Sequence, residues 1–558
     1  MADVETMRGA LDDYQARVAE SLVRALTGMA RRSISQIIAR RAAEEPARVI
    51  VRMAEGRAAL TAAELEETSR QMARRLLARG VRRDDLVEIA LPNGIGFVLA
   101  CAAVWRAGAT PQPVSPELSG GERAVLRELA SPAFVCDQEG LRELLEPESS
   151  VAVGWARRPA APAEEALLAG QGASSSAARP CGTAAHGEGA PWLTRGSTGD
   201  DAALPDLWAT SWKAPASSGS TGRPKIVRAN APALLDPDRP VADFLPQRAV
   251  QLVAGPLWHS AVFTYAFRGL MTGHELVLLP RFEERAWLRA AEEHRVTWGL
   301  MAPVMLHRLM RLPEQERRPE RVAGLESLLH LGAPCAPELK RQVIEWLGPE
   351  RVVEVYAGSE SNGLTMISGE EWLQRPGSVG RPIGGTEISI RDESGRVLPP
   401  GEEGLIWMRR GEQPAYHYLG GTSRRDPSGW DTLGDLGRLD ADGYLHLTDR
   451  ADDVINRGGE KIYPAQIERG IQRHPAVVTA LAFGEPDPEY GQVPCAVVEL
   501  DRAVPTGGEP GALAELREQA RQELGSRAPV RLRAVPGPLR DDAGKARRRA
   551  WAERGNPS

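Results

Sequence analysis

The chain has no apolar run long enough to cross a bilayer, which argues against a membrane-spanning protein. It also lacks an excess of positive charge, since 69 Lys and Arg residues stand against 75 Asp and Glu residues. The formal net charge of -6 is unlike that of general nucleic-acid-binding proteins, which are normally basic. We therefore expect neither nucleic acid nor a membrane among its partners.

Cysteine is scarce and scattered. The odd number and the absence of Cys-x-x-Cys spacing exclude both a disulfide framework and a zinc site. The N-terminus carries acidic residues and no hydrophobic signal core, so we expect a protein of the reducing cytoplasm. The five cysteines are Cys101, Cys136, Cys181, Cys335 and Cys495.

The 558 residues are too many for one hydrophobic core and predict several subdomains. Short apolar strands alternate with longer helices, with strands predicted at 49–53, 86–91 and 250–255. Thr61, followed by Glu64 three residues later, predicts a capped helix start. This alternation is typical of an α/β fold.

Three segments differ from this pattern. Apolar residues at helical spacing predict an amphipathic helix within residues 1–32, which would pack on the main body or on a second subunit of a homodimer. Residues 160–199 are rich in Ala, Gly, Ser and Pro, which predicts a flexible insertion. The last hundred residues form their own unit, with strands near 477–483 and 495–500 and a helix at 512–524. We therefore divide the chain into an extension at 1–32, a large domain at 33–451 and a small domain at 452–558.

The most informative segment, which we call the phosphate loop, concentrates hydroxyls, glycines and a lysine in nine residues. Glycines let the backbone approach phosphate oxygens, hydroxyls donate to them, and Lys225 supplies a positive charge. Pro224 directly before Lys225 argues against the helix start of a P-loop NTPase. The segment predicts a nucleoside triphosphate site. Its residues are Ser217, Ser218, Gly219, Ser220, Thr221, Gly222, Arg223, Pro224 and Lys225.

Four clusters downstream add groups suited to the rest of a nucleotide. Gly332, Ala333 and Pro334 follow one apolar strand, and the segment 354–360 follows another. Within that segment Tyr356 has a ring that can stack on a base, while Ser359 and Glu360 offer hard oxygens for Mg²⁺. Asp435 is suited to the two hydroxyls of a ribose, and Arg450 to ribose or phosphate.

With these motifs in this order, the chain resembles the adenylate-forming superfamily of acyl-CoA synthetases, luciferases and peptide-synthetase adenylation domains, over about residues 33–549. The segments 108–115, 212–213 and 377–382 are most similar to bacterial acyl-CoA ligases like bile-acid-CoA ligase. The resemblance implies a large N-terminal domain, a small mobile C-terminal domain, and activation of a carboxylic acid by ATP with Mg²⁺, followed by transfer to CoA.

The resemblance also implies residue roles. The phosphate loop would hold the β- and γ-phosphates, Tyr356 would stack on adenine, Glu360 would bind Mg²⁺ and Asp435 would bind ribose. Lys545 would be the catalytic lysine, Asp452 the hinge, and Gly458 and Gly459 part of the thiol channel. Three positions depart from the family pattern: Ala357, Ser359 and Leu433.

The segment 255–263 corresponds to the border of the acyl pocket, and we predict a pocket role for His259. Its aromatic neighbours Trp258, Phe263 and Phe267 indicate a flat, apolar acid such as an aryl carboxylate. Three functions remain open from the sequence. The first is ligation of an acid to CoA. The second is the same adenylation half-reaction with a different acceptor or substrate, which is a carrier-protein thiol, an amine, or nitrite activated for diazotisation of an arylamine. The third is non-catalytic nucleotide binding.

Overall fold

The computed structural model describes residues 31–146, 204–217, 224–240, 242, 244–501, 509–540, 548 and 551–552. The predicted N-terminal helix, the 160–199 insertion, most of the phosphate loop and Lys545 lie outside this part of the chain. The helices, in chain order, are α1 (Ile34–Glu44), α2 (Ala62–Ala78), α3 (Ile95–Arg106), α4 (Gly120–Ala130), α5 (Gln138–Leu145), α6 (Ser260–Met271), α7 (Glu284–Glu293), α8 (Pro303–Met310), α9 (Pro337–Leu347), α10 (Gly369–Gln374), α11 (Pro464–Gln472) and α12 (Glu509–Leu524).

The strands are short and come from every part of the described chain. Those of the first half are β1 (Arg32–Ser33), β2 (Val49–Met53), β3 (Ala59–Thr61), β4 (Leu86–Ile89), β5 (Thr110–Pro113), β6 (Phe134–Cys136), β7 (Ala216–Ser217), β8 (Lys225–Ala229), β9 (Leu234–Leu235), β10 (Val250–Val253), β11 (Glu275–Leu278), β12 (Trp298–Met301) and β13 (Ser327–His330). Those of the second half are β14 (Val352–Ala357), β15 (Leu364–Ser368), β16 (Arg381–Pro382), β17 (Thr386–Arg391), β18 (Gly404–Arg410), β19 (Tyr416–Leu419), β20 (Asp435–Leu439), β21 (Leu445–Arg450), β22 (Ile455–Arg457), β23 (Glu460–Ile462), β24 (Val477–Asp487), β25 (Gly491–Leu500) and β26 (Arg531–Ala534).

The largest sheet has nine strands in the order β16-β15-β14-β13-β12-β10-β11-β2-β3. The six strands from β14 to β2 are parallel, so their carboxyl ends share one edge. Ligands of open α/β sheets bind beyond this edge, because the loops that follow the strands converge there. The edge therefore positions the site.

The remaining sheets divide between two bodies. A parallel sheet β5-β4-β6 and the small antiparallel sheets β19-β8-β7 and β17-β18-β20-β21 complete the large body. Helix α3 is apolar on all sides and buried between layers, because it packs against both α1 and α2. The small body has the sheet β23-β22-β25-β24, with β26 paired to β25, and it is covered by α11 and α12.

Local sequence signals hold well in this fold. Strand β2 occupies the predicted residues 49–53, and Thr61 and Glu64 form both hydrogen bonds of the capping box. Lys225 begins a strand and not a helix, which agrees with the prediction from Pro224 that no helix starts there. The α/β class with a large and a small body is confirmed. The exact domain boundaries stay predictions. Across the described residues, every helix is too short or too polar to cross a membrane.

Candidate active site

A cavity of about 2550 Å³ lies at the carboxyl edge of the large sheet and extends to the small body. Typical small-molecule pockets have volumes of roughly 300–1,000 Å³, so this cavity has room for a nucleotide together with further substrates. Gly332, Ala333 and Pro334 line it in the loop after β13. Segment 354–361, at the end of β14, lines it beside them. The two predicted clusters thus meet because β13 and β14 are parallel neighbours.

Three predicted residues form one hydrogen-bonded group at what we call the nucleotide end. Asp435 and Arg450 are paired across β20 and β21, and Arg450 Nε donates to Asp435 Oδ1 at 3.1 Å. Tyr356 donates its hydroxyl to Asp435 Oδ2 at 2.6 Å. Burial, and then the Asp435 charge, raises the pKa of Tyr356, while the same carboxylate raises the pKa of Arg450. The phenol therefore stays neutral beside a carboxylate that is already oriented.

Glu360 and Lys225 meet at the same end of the cavity. Lys225 Nζ lies 3.5 Å from Glu360 Oε1 and 3.7 Å from the ring centroid of Tyr418. Tyr418 donates its hydroxyl to Glu360 Oε1 at 2.6 Å. Burial lowers the pKa of Lys225, and the Glu360 carboxylate opposes this shift. One carboxylate oxygen thus serves both neighbours.

The second carboxylate oxygen of Glu360, Oε2, is a candidate ligand for the predicted Mg²⁺. In the described part of the chain Tyr418 and Lys225 both contact Oε1, so Oε2 remains for a cation. Among the described residues there is no cluster of three or more His, Cys, Asp or Glu side chains that could hold a metal. Mg²⁺ is commonly held by one or two carboxylates together with substrate phosphates and water. Glu360 with the adjoining Ser359 fits that mode of binding.

The other end of the cavity, which we call the acid end, is bordered by α6. His259 is the N-cap residue of α6 and lines the cavity, in agreement with its predicted position. Apolar and aromatic side chains form much of the surrounding wall. They include Trp212, Phe244, Val262, Tyr265, Leu300, Met305, Leu364 and Met366.

The prediction that Trp258, Phe263 and Phe267 form the aromatic wall of the acid pocket is wrong. Phe263 and Phe267 are 0% and 1% exposed and pack with Phe97 and Trp105 in the core. Neither they nor Trp258 line the cavity. Their helical spacing reflects the core face of α6, and the ring contacts of the acid end come from Trp212, Phe244 and Tyr265 instead.

The small body contributes a different face to the cavity. Residues of α11, together with Arg540 and Arg548, line it and meet at Glu468, to which both arginines donate. Asp452, the predicted hinge, lines the cavity and lies 3.7 Å from the Arg424 guanidinium. Gly458 and Gly459 form the turn between β22 and β23, away from the cavity lining. Lys545 lies outside the described residues, as do Ser218, Gly219, Ser220, Thr221 and Gly222.

Ser217 does lie in the described part, where it pairs with Lys225 across β7 and β8 and lines the cavity. Two of the family departures also have visible consequences. Leu433 lies against Gly358, where a side chain at 358 would collide with it. Ala357 ends β14 and lines the cavity beside Tyr356.

Three charged or polar residues of the cavity were not predicted as site residues. Tyr418 reaches Glu360 because β19 pairs with β8, and its only local signal was the alternation of tyrosines in β19. Lys213 and Arg268 lie at the acid end, where Lys213 Nζ donates to Ser260 Oγ at 2.7 Å. In the sequence, Lys213 and Arg268 each stand among apolar residues, and this was the pattern from which a buried charge could have been predicted.

This fold, with Lys225, Glu360 and Asp435 around one cavity, is that of the adenylate-forming enzymes. The sequence model of the AMP-binding enzyme family matches residues 38–419, and that of the AMP-binding enzyme C-terminal domain matches residues 466–540. The first match covers more than half of the chain. The chain belongs to the AMP-binding enzyme family, as an enzyme of the ATP-dependent acid-thiol ligase class.

Curated relatives and solved structures agree with this assignment. Oxalate–CoA ligase of Arabidopsis thaliana is 28% identical over 458 residues, which cover 79% of this chain and 84% of the relative. 2-Succinylbenzoate–CoA ligase of Bacillus subtilis is 34% identical over 260 residues, 46% of this chain and 52% of the relative. The amide bond synthetase McbA from Marinactinospora thermotolerans has the same fold, with a TM-score of 0.69, 24% identity, and coverage of 94% and 99%.

Proposed function

We propose that this enzyme converts a carboxylic acid and ATP into an acyl-adenylate and pyrophosphate, and then transfers the acyl group to the thiol of CoA. The observation that carries the proposal is the convergence of Lys225, Glu360, Tyr356 and Asp435 on one cavity. That cavity continues without interruption to the apolar acid end. A nucleotide and an acid can therefore lie in contact within it.

The chemistry follows from the weakness of a carboxylate as an electrophile. A carboxylate oxygen bonds to the α-phosphorus of ATP while the bond from that phosphorus to the α,β-bridging oxygen breaks, and pyrophosphate leaves. The thiolate sulfur then attacks the carbonyl carbon, and the bond to the phosphate oxygen breaks with release of AMP. Such phosphoryl transfer depends mainly on positioning and on charge stabilisation, which are what fixed side chains provide.

Each residue of the nucleotide end has a role in this proposal. Lys225 and the hydroxyls of the phosphate loop bind the β- and γ-phosphates, Tyr356 lies against adenine, and Asp435 accepts from the ribose hydroxyls. Arg450 holds Asp435 in place. Glu360 and Ser359 would hold Mg²⁺, which neutralises phosphate charge when bound.

We propose an apolar, ring-bearing acid as the substrate class. The support is the wall of Trp212, Phe244 and Tyr265 around the acid end, since aromatic side chains pack well on flat apolar groups. In this proposal His259, at the start of α6, lies beside the reacting carboxylate. The proposed acceptor CoA is supported by the curated relatives, which are named CoA ligases.

The small body provides the second step in this proposal. A rotation at Asp452 would withdraw Lys545 and bring the Gly458–Gly459 turn to the cavity, as domain closures do in other enzymes. Gly458 and Gly459 have positive φ values of 56° and 94°, which glycine adopts readily and which make the turn tight. Because both residues are glycine, no side chain projects from these two positions. A thiol arm could then pass beside it.

A panel assay tests the reaction and its acceptor. The protein is incubated with ATP, Mg²⁺ and aryl, aliphatic and inorganic acids, with and without CoA, and release of AMP is measured. We expect turnover that depends on both an aryl acid and CoA. Turnover with an amine or a carrier-protein thiol in place of CoA would contradict the acceptor, turnover with nitrite in place of a carboxylic acid would contradict the substrate class, and AMP release with no acid would contradict the reaction.

Lys545→Ala tests the predicted catalytic lysine. We expect the exchange of labelled pyrophosphate into ATP to fall by at least about 100-fold, because a charge at the transferred phosphoryl group is lost. Arg547→Ala, in the same basic run, is the matched control and should leave exchange nearly intact. Unchanged exchange in Lys545→Ala would rule out the role.

A further inference from the structure

Lys213 places an ammonium group inside the acid end without a carboxylate partner in the described part of the chain. The residue is 4% exposed, and its Nζ donates to Ser260 Oγ at 2.7 Å and to Thr264 Oγ1 at 2.8 Å. Thr264 donates its own proton to the carbonyl of Ser260 at 2.6 Å, so its lone pairs are free to accept. Hydroxyls satisfy two of the three ammonium donors and neutralise no charge.

Arg268 brings a second cation to the same place. It lies one turn after Thr264 on α6, so it shares the face of the helix that Lys213 contacts. Its Nε is buried with no hydrogen-bond partner among the described residues. The Arg268 guanidinium carbon lies 5.2 Å from the Trp212 ring centroid, and Lys213 Nζ lies 5.3 Å from the same centroid. Two cations therefore flank one indole.

This arrangement is unfavourable as it stands. Burial, together with the charge of Arg268, lowers the pKa of Lys213 to about 7, and burial also lowers the pKa of Arg268. Burying like charges side by side costs free energy unless an opposite charge joins them. Both side chains line the cavity, so an anion in the cavity can reach them.

The reacting carboxylate does not meet this requirement. It has to reach the α-phosphate at the carboxyl edge of the sheet, where α6 begins. Lys213 Nζ lies beside the first turn of α6, where it contacts Ser260 and Thr264, whereas the Cα of Arg268 lies about 12 Å along the helix from that of Ser260. A small anion that reacts at the start of α6 does not extend to Arg268, so an acid that also binds the Arg268 side of the pair carries a second anionic group.

We propose that Lys213 and Arg268 form a subsite for a second anionic group, so that the acid is a dicarboxylate with an apolar middle. The walls of Trp212, Phe244 and Tyr265 enclose the apolar part, and the two cations bind the distal carboxylate. The inference rests on the proposed adenylation, which assigns the first carboxylate its place.

The test measures pyrophosphate exchange with phenylpropanoic acid, with its ortho, meta and para ring carboxylates, and with the corresponding ring carboxamides. A hydrogen bond to a charged group contributes about 1.5–3 kcal/mol, so kcat/KM for one carboxylate isomer should exceed that of its carboxamide by at least about tenfold. In Lys213→Met and Arg268→Leu this preference should fall towards one. Lys213→Arg, which keeps the charge, should retain part of it.

Controls separate charge recognition from folding. Arg83→Leu removes an arginine-over-tryptophan contact of similar length, 5.3 Å over Trp208, outside the cavity, and should keep the preference. Thermal unfolding with ATP reports whether each variant folds. For variants that turn over slowly, dissociation constants of the acyl-sulfamoyl-adenosine analogues of the same acids should show the same loss of preference.

The outcomes distinguish the two proposals. Equal kcat/KM for all carboxylates and their carboxamides, or a preference that survives in both variants, overturns the subsite but leaves adenylation standing. Exchange with nitrite alone overturns the subsite, because the cations would then serve the activated anion itself. No exchange with any acid contradicts the adenylation, and the subsite fails with it.

Discussion

Lys213 precedes the phosphate loop in the sequence and Lys225 is its last residue, and the two lysines differ in the groups that surround them. Lys225 Nζ has the Glu360 carboxylate at 3.5 Å and a tyrosine ring at 3.7 Å, whereas Lys213 Nζ has two hydroxyls. Burial lowers the pKa of both. The nucleotide end of the cavity is thus balanced in charge before substrate binds. Among the described residues the acid end is not balanced, and in our proposal the distal carboxylate of the substrate supplies the counter-charge.

Glu360→Gln breaks the balanced end and has the largest expected effect. It removes the acceptor charge for Lys225 and Tyr418 together with the predicted Mg²⁺ ligand. We expect kcat/KM for pyrophosphate exchange to fall by at least about 100-fold, as when charge stabilisation is removed from other active sites. Glu387→Gln, at an exposed ion pair with Arg409, is the control. A loss below threefold would show that Glu360 is not part of the machinery.

Asp435→Asn tests the ribose role at the same end. The Asp435 carboxylate accepts hydrogen bonds from Tyr356 and Arg450, and the neutral amide that replaces it in the variant accepts hydrogen bonds less strongly. Losing a charged hydrogen bond costs about 1.5–3 kcal/mol, so we expect KM for ATP to rise by at least about tenfold. Asp442→Asn, at an exposed pair with Arg375, should leave KM unchanged. An equal KM in both variants would argue against a ribose contact.

Tyr418→Phe tests a residue that sequence reasoning missed. The change removes one hydrogen bond to Glu360, 2.6 Å long, and keeps the ring under Lys225. Because one hydrogen bond contributes about 1 kcal/mol, a fall of about fivefold in exchange kcat/KM is expected. The control is Tyr463→Phe, whose hydroxyl donates to Glu403 away from the cavity. Equal rates in the two variants would mean that Tyr418 only packs.

The pH dependence of KM for the acid tests the role of Lys213 at the acid end. Lys213 has a pKa of about 7, so it is charged below pH 7 and loses its charge as pH rises above it. Arg268 lowers that pKa and Glu360 raises it, while the pKa of Tyr265, raised to about 12, keeps the phenol neutral. KM for the preferred ring carboxylate should therefore rise several-fold between about pH 6.5 and 8.5. The matched carboxamide and Lys213→Arg should show a flatter profile, and parallel profiles would contradict the assignment.

Much of the fold follows from local chemistry. Strand β2, the capping box at Thr61 and the start of β8 at Lys225 each depend on a few neighbouring residues. Tyr356, Glu360 and Asp435 were predicted from the chemistry of their side chains within short motifs and from the order of those motifs in the family that the chain resembles. Phe263 and Phe267 were placed wrongly, since helical spacing shows that a helix has an apolar face but not what that face meets.

By itself, the sequence determined the α/β class, the nucleotide chemistry and most residues of the nucleotide end, because these depend on short motifs and their order. The tertiary structure alone decided that Tyr418 reaches Glu360 and that Lys213 and Arg268 flank Trp212. Tyr418 and Glu360, like Arg268 and Trp212, are far apart in the chain, and only the folded structure brings them together. Whether a buried charge has a partner depends on distances in space, which no spacing along the chain records.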